Sequence, residues 1–554
     1  MRPSETTPST DGPPDLVLTG GQVADVRSGV LHRAGVARSG SLIVAIGPDE
    51  EVSANAQQRL DVTGQVLVPG YIEPHGHILA VNPVEFAKAV LARGTTTAVI
   101  DALPLMMLIP LDRVGEILER LAALPMKIRW LIRLHPQSFG QEAKFALDHL
   151  RRLWRLPSAA AVGEVTRWTD VLEGDPDLLQ KIKAAQTDGK RVEGHAPGAS
   201  YERLVGLAAA GFTSCHEAVT AEEAANRLRA GLYTMLRHSS IRPDLPELVK
   251  VVTRDDVFAS RLMLTADGPT PSFVATHGYM DYLIDVAIRS GVPPMVALRM
   301  ATFNPAAYYG WEDLGEIAVG KRADINVLRR LEDPTPVLVI AGGRIAAENG
   351  RLMAGFPSFD WNGVLPALSV QRMLPADLHA HNGGGIRLVN DVITQPVEPS
   401  DVPESALHAA LVDRAGRWVT RTRLLGFADR LGGLASTVTS AFDLVVLGQR
   451  PEDMTAALAR LGQLGGGVAV VEDGKEVFAF PLDLGGIYSS RPWQDVAELN
   501  RRFAEFMRNR GYPFSDPLFS LLFLTFDSLP WIRLTARGVW DVRNRKVLAP
   551  SLRK

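Results

Sequence analysis

Apolar and polar positions alternate in short runs from Leu16 onward, with glycines between the runs. The segments "DLVLTGGQVADVRSG", "GSLIVAIGPD" and "RLDVTGQVLVPG" read as strands bounded by turn residues. The same texture returns in "LGEIAVGKRADINVLRR" and "TPVLVIAGGRIAAENGR". Two strand-rich pieces flanking one long segment predict a single small β-sandwich made from residues 15–70 and 311–360.

Between those flanks, over residues 71–310, β-branched runs alternate with helical stretches. The strand candidates are eight: "LVPGYIEPHGH", "TTTAVID", "IRWLIRL", "AAVGEVT", "RVEGHAP", "FTSCHEA", "LYTMLRH" and "RLMLTAD". Amphipathic helices such as "NPVEFAKAVLARG", "DPDLLQKIKAAQTDG" and "TAEEAANRLRAG" lie between most of them. Each starts near a capping residue and ends close to glycine. Eight βα units in a segment of this size predict an α/β fold, a (β/α)8 barrel. The alternative is an open doubly wound sheet with the same strands laid flat. Beyond residue 365 the rhythm changes again, and residues 365–554 read as a separate C-terminal α+β domain.

Composition narrows the class. At 554 residues the chain is too long for one core. Its net charge of −3 and the lack of any Lys/Arg run argue against a nucleic-acid partner. No apolar run reaches the ~18 residues of a membrane span. Residues 1–14 are polar, rich in Pro, Ser and Thr, and lack an apolar signal core, so they read as a disordered leader. The single cysteine, Cys215, excludes an internal disulfide framework and fits a reducing, cytoplasmic compartment.

Candidate chemistry starts in "VLVPGYIEPHGHILA", where an apolar strand ends on His75 and His77. Positions i and i+2 of a strand share a face, so both imidazoles aim at one point. In a barrel of this kind chemistry sits at the C-terminal strand ends. There the fourth candidate strand offers Glu164, the fifth His195, the sixth His216 and the eighth Asp267. Imidazole and carboxylate without thiolate suit a divalent transition metal such as Zn, Mn or Fe rather than a structural zinc. Glu164 can bridge two ions, and two ions can activate a shared hydroxide. Asp267 would orient that hydroxide and carry its proton. This predicts a hydrolase.

The chain resembles the amidohydrolase superfamily in its "HGH", its strand-4 Glu, its single His on strands 5 and 6, and its strand-8 Asp. It is more closely similar to adenine deaminases, through "VPGYIEPHGH", "PVEFAKAVLARGTTT", "GHAPG", "RMATFNPA" and "GKRADINVL". In the last domain "LGGLASTV", "LGGGVAVVEDG" and "DPLFSLLFL" carry the likeness. The resemblance implies a metal-dependent hydrolase of non-peptide C–N bonds, deaminating adenine or a related aminoheterocycle. It also implies a binuclear centre, a small-molecule substrate and a homodimer. It matches Arg237 to a family Arg that would steady substrate, and Glu217 to a family Glu that would orient an imidazole.

Departures from that pattern fall on substrate-binding segments. After strand 1 the chain reads "HILAVN" where the family has Ile-Glu-Ser-Ser. After strand 2 it keeps Asp101 but continues "ALPLMMLIP" in place of Asp-Pro-His-Glu. "TVTSAFDLVV" lacks the family's C-terminal histidines, and "TADG" leaves Asp267 alone. Polar groups lost and apolar ones gained predict a more apolar pocket. The alternative activity is therefore opening of a cyclic amide or lactam, or cleavage of an N-acyl compound. A non-catalytic scaffold is the remaining alternative. His238, His277 and the second pair His379 and His381 are expected to lie outside the metal site, and Cys215 to pack behind the barrel.

Overall fold

A computed structural model of the protein describes residues 12–254, 259–380 and 383–554. Most of the expected leader, residues 1–11, lies outside the described residues, as does His381.

Eight strands form one parallel sheet in chain order: β1 (Tyr71–Gly76), β2 (Thr95–Asp101), β3 (Lys127–Ile132), β4 (Ala159–Val165), β5 (Arg191–Gly194), β6 (Ser214–Cys215), β7 (Tyr233–Arg237) and β8 (Leu262–Thr265). Every residue of β2, "TTTAVID", is buried, as a strand covered on both faces requires. The sheet curls until its edges meet. Gly76 and Asp267 form a parallel bridge, and His77 N donates to Asp267 O at 2.7 Å. Glu73 stitches the same seam, accepting from Thr265 Oγ1 at 2.6 Å and Ala266 N at 2.8 Å. The barrel expectation holds, and the flat sheet is excluded.

Local signals explain the helices. Asn82 caps α1 (Pro83–Leu91), its side chain accepting from Val84 N and Glu85 N with proline at the first turn. Asp175, Ser200 and Thr220 cap the helices that follow β4, β5 and β6. A shorter helix, α2 (Leu103–Leu108), follows β2 and buries Leu103, Leu105, Met106 and Met107.

Strands from both flanks of the barrel share one seven-stranded sheet. Val66–Pro69 pairs with Gln22–Asp25 on one side and with Ile325–Leu328 on the other. A four-stranded sheet packs on it through Leu18, Val36, Ile43, Leu67, Ile325 and Ile340. At the C-terminus a mixed sheet runs from Gly385 to Pro481 and carries the helix Pro451–Leu464.

The C-terminal part then returns to the barrel. Tyr488–Ser489 pairs with Ala80–Val81, just past His77. Asn82 Nδ2 donates to Ser489 O at 2.8 Å, and Trp493 N to Glu85 at 3.1 Å. Two helices follow, α3 (Trp493–Arg508) and α4 (Pro517–Phe523). Asn500 of α3 joins the barrel to α4. It accepts from Ser272 Oγ at 2.5 Å and donates to Asp516, the N-cap of α4, at 3.0 Å.

Candidate metal centre

All eight strands deliver a polar side chain to one rim. β1 carries His75, with His77 one residue past its end. β2 ends on Asp101, and Arg133 follows β3. Glu164 lies in β4, while His195 and His216 follow β5 and β6. β7 ends on Arg237, and Asp267 stands two residues past β8. Parallel strands in register end together, so residues scattered over nearly 200 positions arrive at one place.

His75 Nε2 lies 3.2 Å from His77 Nε2 and 3.7 Å from Asp267 Oδ1. His77 Nε2 is 3.4 Å from that Asp267 oxygen and 3.6 Å from Glu164 Oε2. Glu164 Oε1 contacts His195 Nδ1 and lies 3.2 Å from His216 Nε2. The His216 ring stacks on His75 at 4.1 Å between centroids. Among the described residues three overlapping groups therefore have ligand atoms within 4.8 Å of one another. They are His75–His77–Glu164, His75–His216–Asp267 and Glu164–His195–His216.

Charged side chains around the cluster orient these atoms. Glu193 Oε2 meets His75 Nδ1 at 2.7 Å, which leaves Nε2 free for the centre. Asp101 Oδ2 stands 3.2 Å from His77 Nδ1 and does the same there. Arg133, fully buried, donates to Asp101 Oδ2 at 2.8 Å, to Glu164 Oε2 at 2.7 Å and to the Glu164 carbonyl at 2.8 Å. Arg237 contacts Glu217 and donates to Asp267 Oδ2 at 3.1 Å. Glu217 takes Arg237 as its main partner, with its Oε1 at 3.5 Å from His195 and His216.

This donor set fits a metal. Among the described residues the five carboxylates of Glu164, Asp267, Glu217, Asp101 and Glu193 face three guanidiniums, the buried Arg133 and Arg237 and the half-buried Arg242. Surplus negative charge away from water needs a cation. The imidazoles register that need. Burial opposes protonation of His75, yet Glu193, Glu164 and Asp267 outweigh it and push it up to about 10. Burial pulls Glu164 upward, but His195 and Arg133 hold it well below the usual carboxylate range.

The remaining histidines lie elsewhere. His238 packs at 5.6 Å from Tyr282, and burial brings it down to about 4. His277 is exposed and stacks on Tyr282, and His379 packs on His408. Cys215 is buried under Arg227 Nε at 3.2 Å.

Arg133, Glu193 and Glu73 were not singled out from the sequence, although strand alternation marks two of them. Glu73, His75 and His77 are spaced by two, as are Glu193 and His195, so each set shares an inward face. Arg133 stands two residues past Leu131, the register partner of Asp101, and a buried aspartate asks for such a cation.

Above the rim is a cavity of about 450 Å³. Its floor is His77, Glu164, His195, Arg237 and Asp267. Its roof comes from the C-terminal part and is mostly apolar, with Val438, Phe442, Phe519, Leu522, Phe523 and Phe526.

Residues 66–346 match the amidohydrolase family, and residues 386–546 match the adenine deaminase C-terminal domain. The chain is 37% identical over 528 residues to "Putative adenine deaminase BH0637" of Halalkalibacterium halodurans, covering 92% of this chain and 90% of that one. It is 33% identical over 563 residues to an adenine deaminase of Cereibacter sphaeroides, covering 97% of each. Among solved structures it is similar to a beta-aspartyl dipeptidase of Fervidobacterium islandicum. The TM-score there is 0.48 at 16% identity, over 62% of this chain and 99% of that one.

Proposed function

The chain belongs to the amidohydrolase family, within its adenine deaminases, and on that footing we propose that its barrel rim hydrolyses adenine to hypoxanthine and ammonia at a centre of divalent metal. His75, His77 and Glu164 would hold one ion, and Glu164, His195 and His216 a second, with Asp267 reaching both groups. Imidazole and carboxylate donors favour Zn, Mn or Fe. When bound, such ions supply a strong nucleophile from water at neutral pH and a Lewis acid beside the substrate.

The chain's own residues move the protons. Arg237 holds Asp267 Oδ2, while Oδ1 faces the imidazoles. Burial raises Asp267, but His216, His77 and Arg237 outweigh it and hold the carboxyl below its usual value, so it is ionised at neutral pH. It can take a proton as water attacks C6 of the purine and return it to the departing amino nitrogen. Glu217 fixes Arg237, which lines the cavity beside Asp267. The apolar roof keeps bulk water out.

The observation that carries this reading is the convergence of six ligand-type side chains from five strands into three overlapping groups, two of which share Glu164. Manganese- or zinc-loaded protein should release ammonia from adenine, and His75→Ala should not. No ammonia from the loaded wild type would defeat the reading.

One observation favours a second activity. The Phe519–Phe526 segment gives the roof the character expected for a larger apolar substrate, such as a cyclic amide or N-acyl compound. Following ring opening beside ammonia release separates the two.

A further inference from the structure

We propose that Gln137, Ser239 and Tyr488 form a neutral hydrogen-bonding frame that reads the ring edges of a planar aminoheterocycle, with Gln137 deciding which ring nitrogens are accepted. The assignment deepens the adenine deaminase reading and rests on it.

It follows from an account of the cavity's polar lining. The charged groups of the floor are committed to one another. Arg242 is held by Glu217 at 3.3 Å and Asp244 at 3.5 Å. Three hydroxyls of the roof are committed too. Thr437 donates to Gly486 O, Thr439 to Asp443 O at 2.9 Å, and Ser440 pairs with Thr525 at 2.9 Å. Gln137, Ser239 and Tyr488 remain. They line the cavity, and their side chains have no hydrogen-bond partner among the described residues.

Their backbones, in contrast, are pinned. The Gln137 carbonyl accepts from Asp527 N at 3.1 Å, and Ser239 N donates to Arg242 O at 3.0 Å. Tyr488 is fixed opposite Ala80 by strand pairing across the barrel rim. Fixed backbones with uncommitted heads describe a recognition site organised before its ligand arrives. A carboxamide offers a donor and an acceptor side by side. An aminoheterocycle offers the complement, a ring nitrogen acceptor next to an N–H donor. Two hydroxyls on other walls fit isolated ring nitrogens.

The test compares wild type with Gln137→Leu on adenine and on the 1-, 3- and 7-deaza analogues, each of which replaces one ring nitrogen by C–H. Gln137→Leu should raise KM for adenine by about tenfold, the usual cost of one lost hydrogen bond in a dry site, with kcat and metal content little changed. One deaza analogue should be rejected by wild type, and that rejection should fall below about threefold in Gln137→Leu, since the pair is coupled. If Gln137→Leu does not fold, Gln137→Asn serves, drawing the carboxamide back by one methylene. An unchanged KM, or an equal loss on all four compounds, would overturn the assignment. Wild type without ammonia release from adenine would instead defeat the deaminase reading, and this frame with it.

Discussion

Replacing Arg133 by methionine tests whether its guanidinium holds the centre's carboxylates in place. Arg133 is fully buried and makes four hydrogen bonds: two to Asp101 Oδ2 at 3.0 and 2.8 Å, one to Glu164 Oε2 at 2.7 Å and one to Glu164 O at 2.8 Å. Methionine fills much of the space but leaves two buried carboxylates facing each other without that cation. Breaking a buried ion pair in this way costs about 3–5 kcal/mol. For a unit the size of this barrel that lowers the unfolding midpoint by on the order of 10 °C. Chelator-treated protein is the right sample, because a bound metal would compensate Glu164.

The pH dependence identifies the cause. In the wild type, burial raises Asp101, but Arg133 and His77 override it and hold the carboxyl well below its usual range. Its contribution to stability is present above the unfolded pKa of about 4 and is lost as pH falls through the folded value. Without Arg133, burial dominates and raises the same carboxyl. The penalty then exists above pH ~4 and is relieved as acid protonates the group in the folded state. Scanning calorimetry should therefore show a midpoint gap between wild type and Arg133→Met that is wide at pH 8 and narrower at pH 5. A gap under about 2 °C, or one equal at both pH values, would refute the reasoning.

Three further outcomes follow from the site and its roof. Asp267→Asn should keep its metal by elemental analysis and lose about 10²–10⁴ in kcat, the usual worth of a proton carrier. His216→Ala removes a proposed ligand whose Nε2 stands 3.2 Å from Glu164, and should purify with less metal than wild type at equal loading. Asp516, pushed up to about 6 by burial, destabilises the folded chain above the unfolded pKa near 4, and that penalty fades as pH falls. Asp516→Asn should therefore compare better with wild type at pH 7 than at pH 5 in thermal unfolding.

The barrel was legible because short β-branched runs alternate with capped helices and five of the strands end at or near a ligand-type residue. β6 is the informative case. It spans only Ser214–Cys215, and the chain leaves strand geometry after it, so adjacent His216 and Glu217 both reach the centre. Alternation would have sent one of them away. The loss of polar substrate segments was likewise visible, in "ALPLMMLIP" and "TVTSAFDLVV". What replaced them was not. The roof gathers residues from near 392, 438, 488 and 523, joined to the barrel by long-range contacts such as the pairing of Tyr488–Ser489 with Ala80–Val81 and the Ser272–Asn500–Asp516 bonds. A two-residue ribbon and a bond between residues 228 positions apart leave no local pattern to read.

On the proposed reading, the strand ends form a two-ion centre that deaminates adenine. Titrating chelator-treated protein with manganese or zinc while following ammonia release from adenine tests it most directly. Activity should be absent without metal and should rise to a plateau at two equivalents per chain. Ammonia release that ignores the metal, or none at any loading, would contradict it.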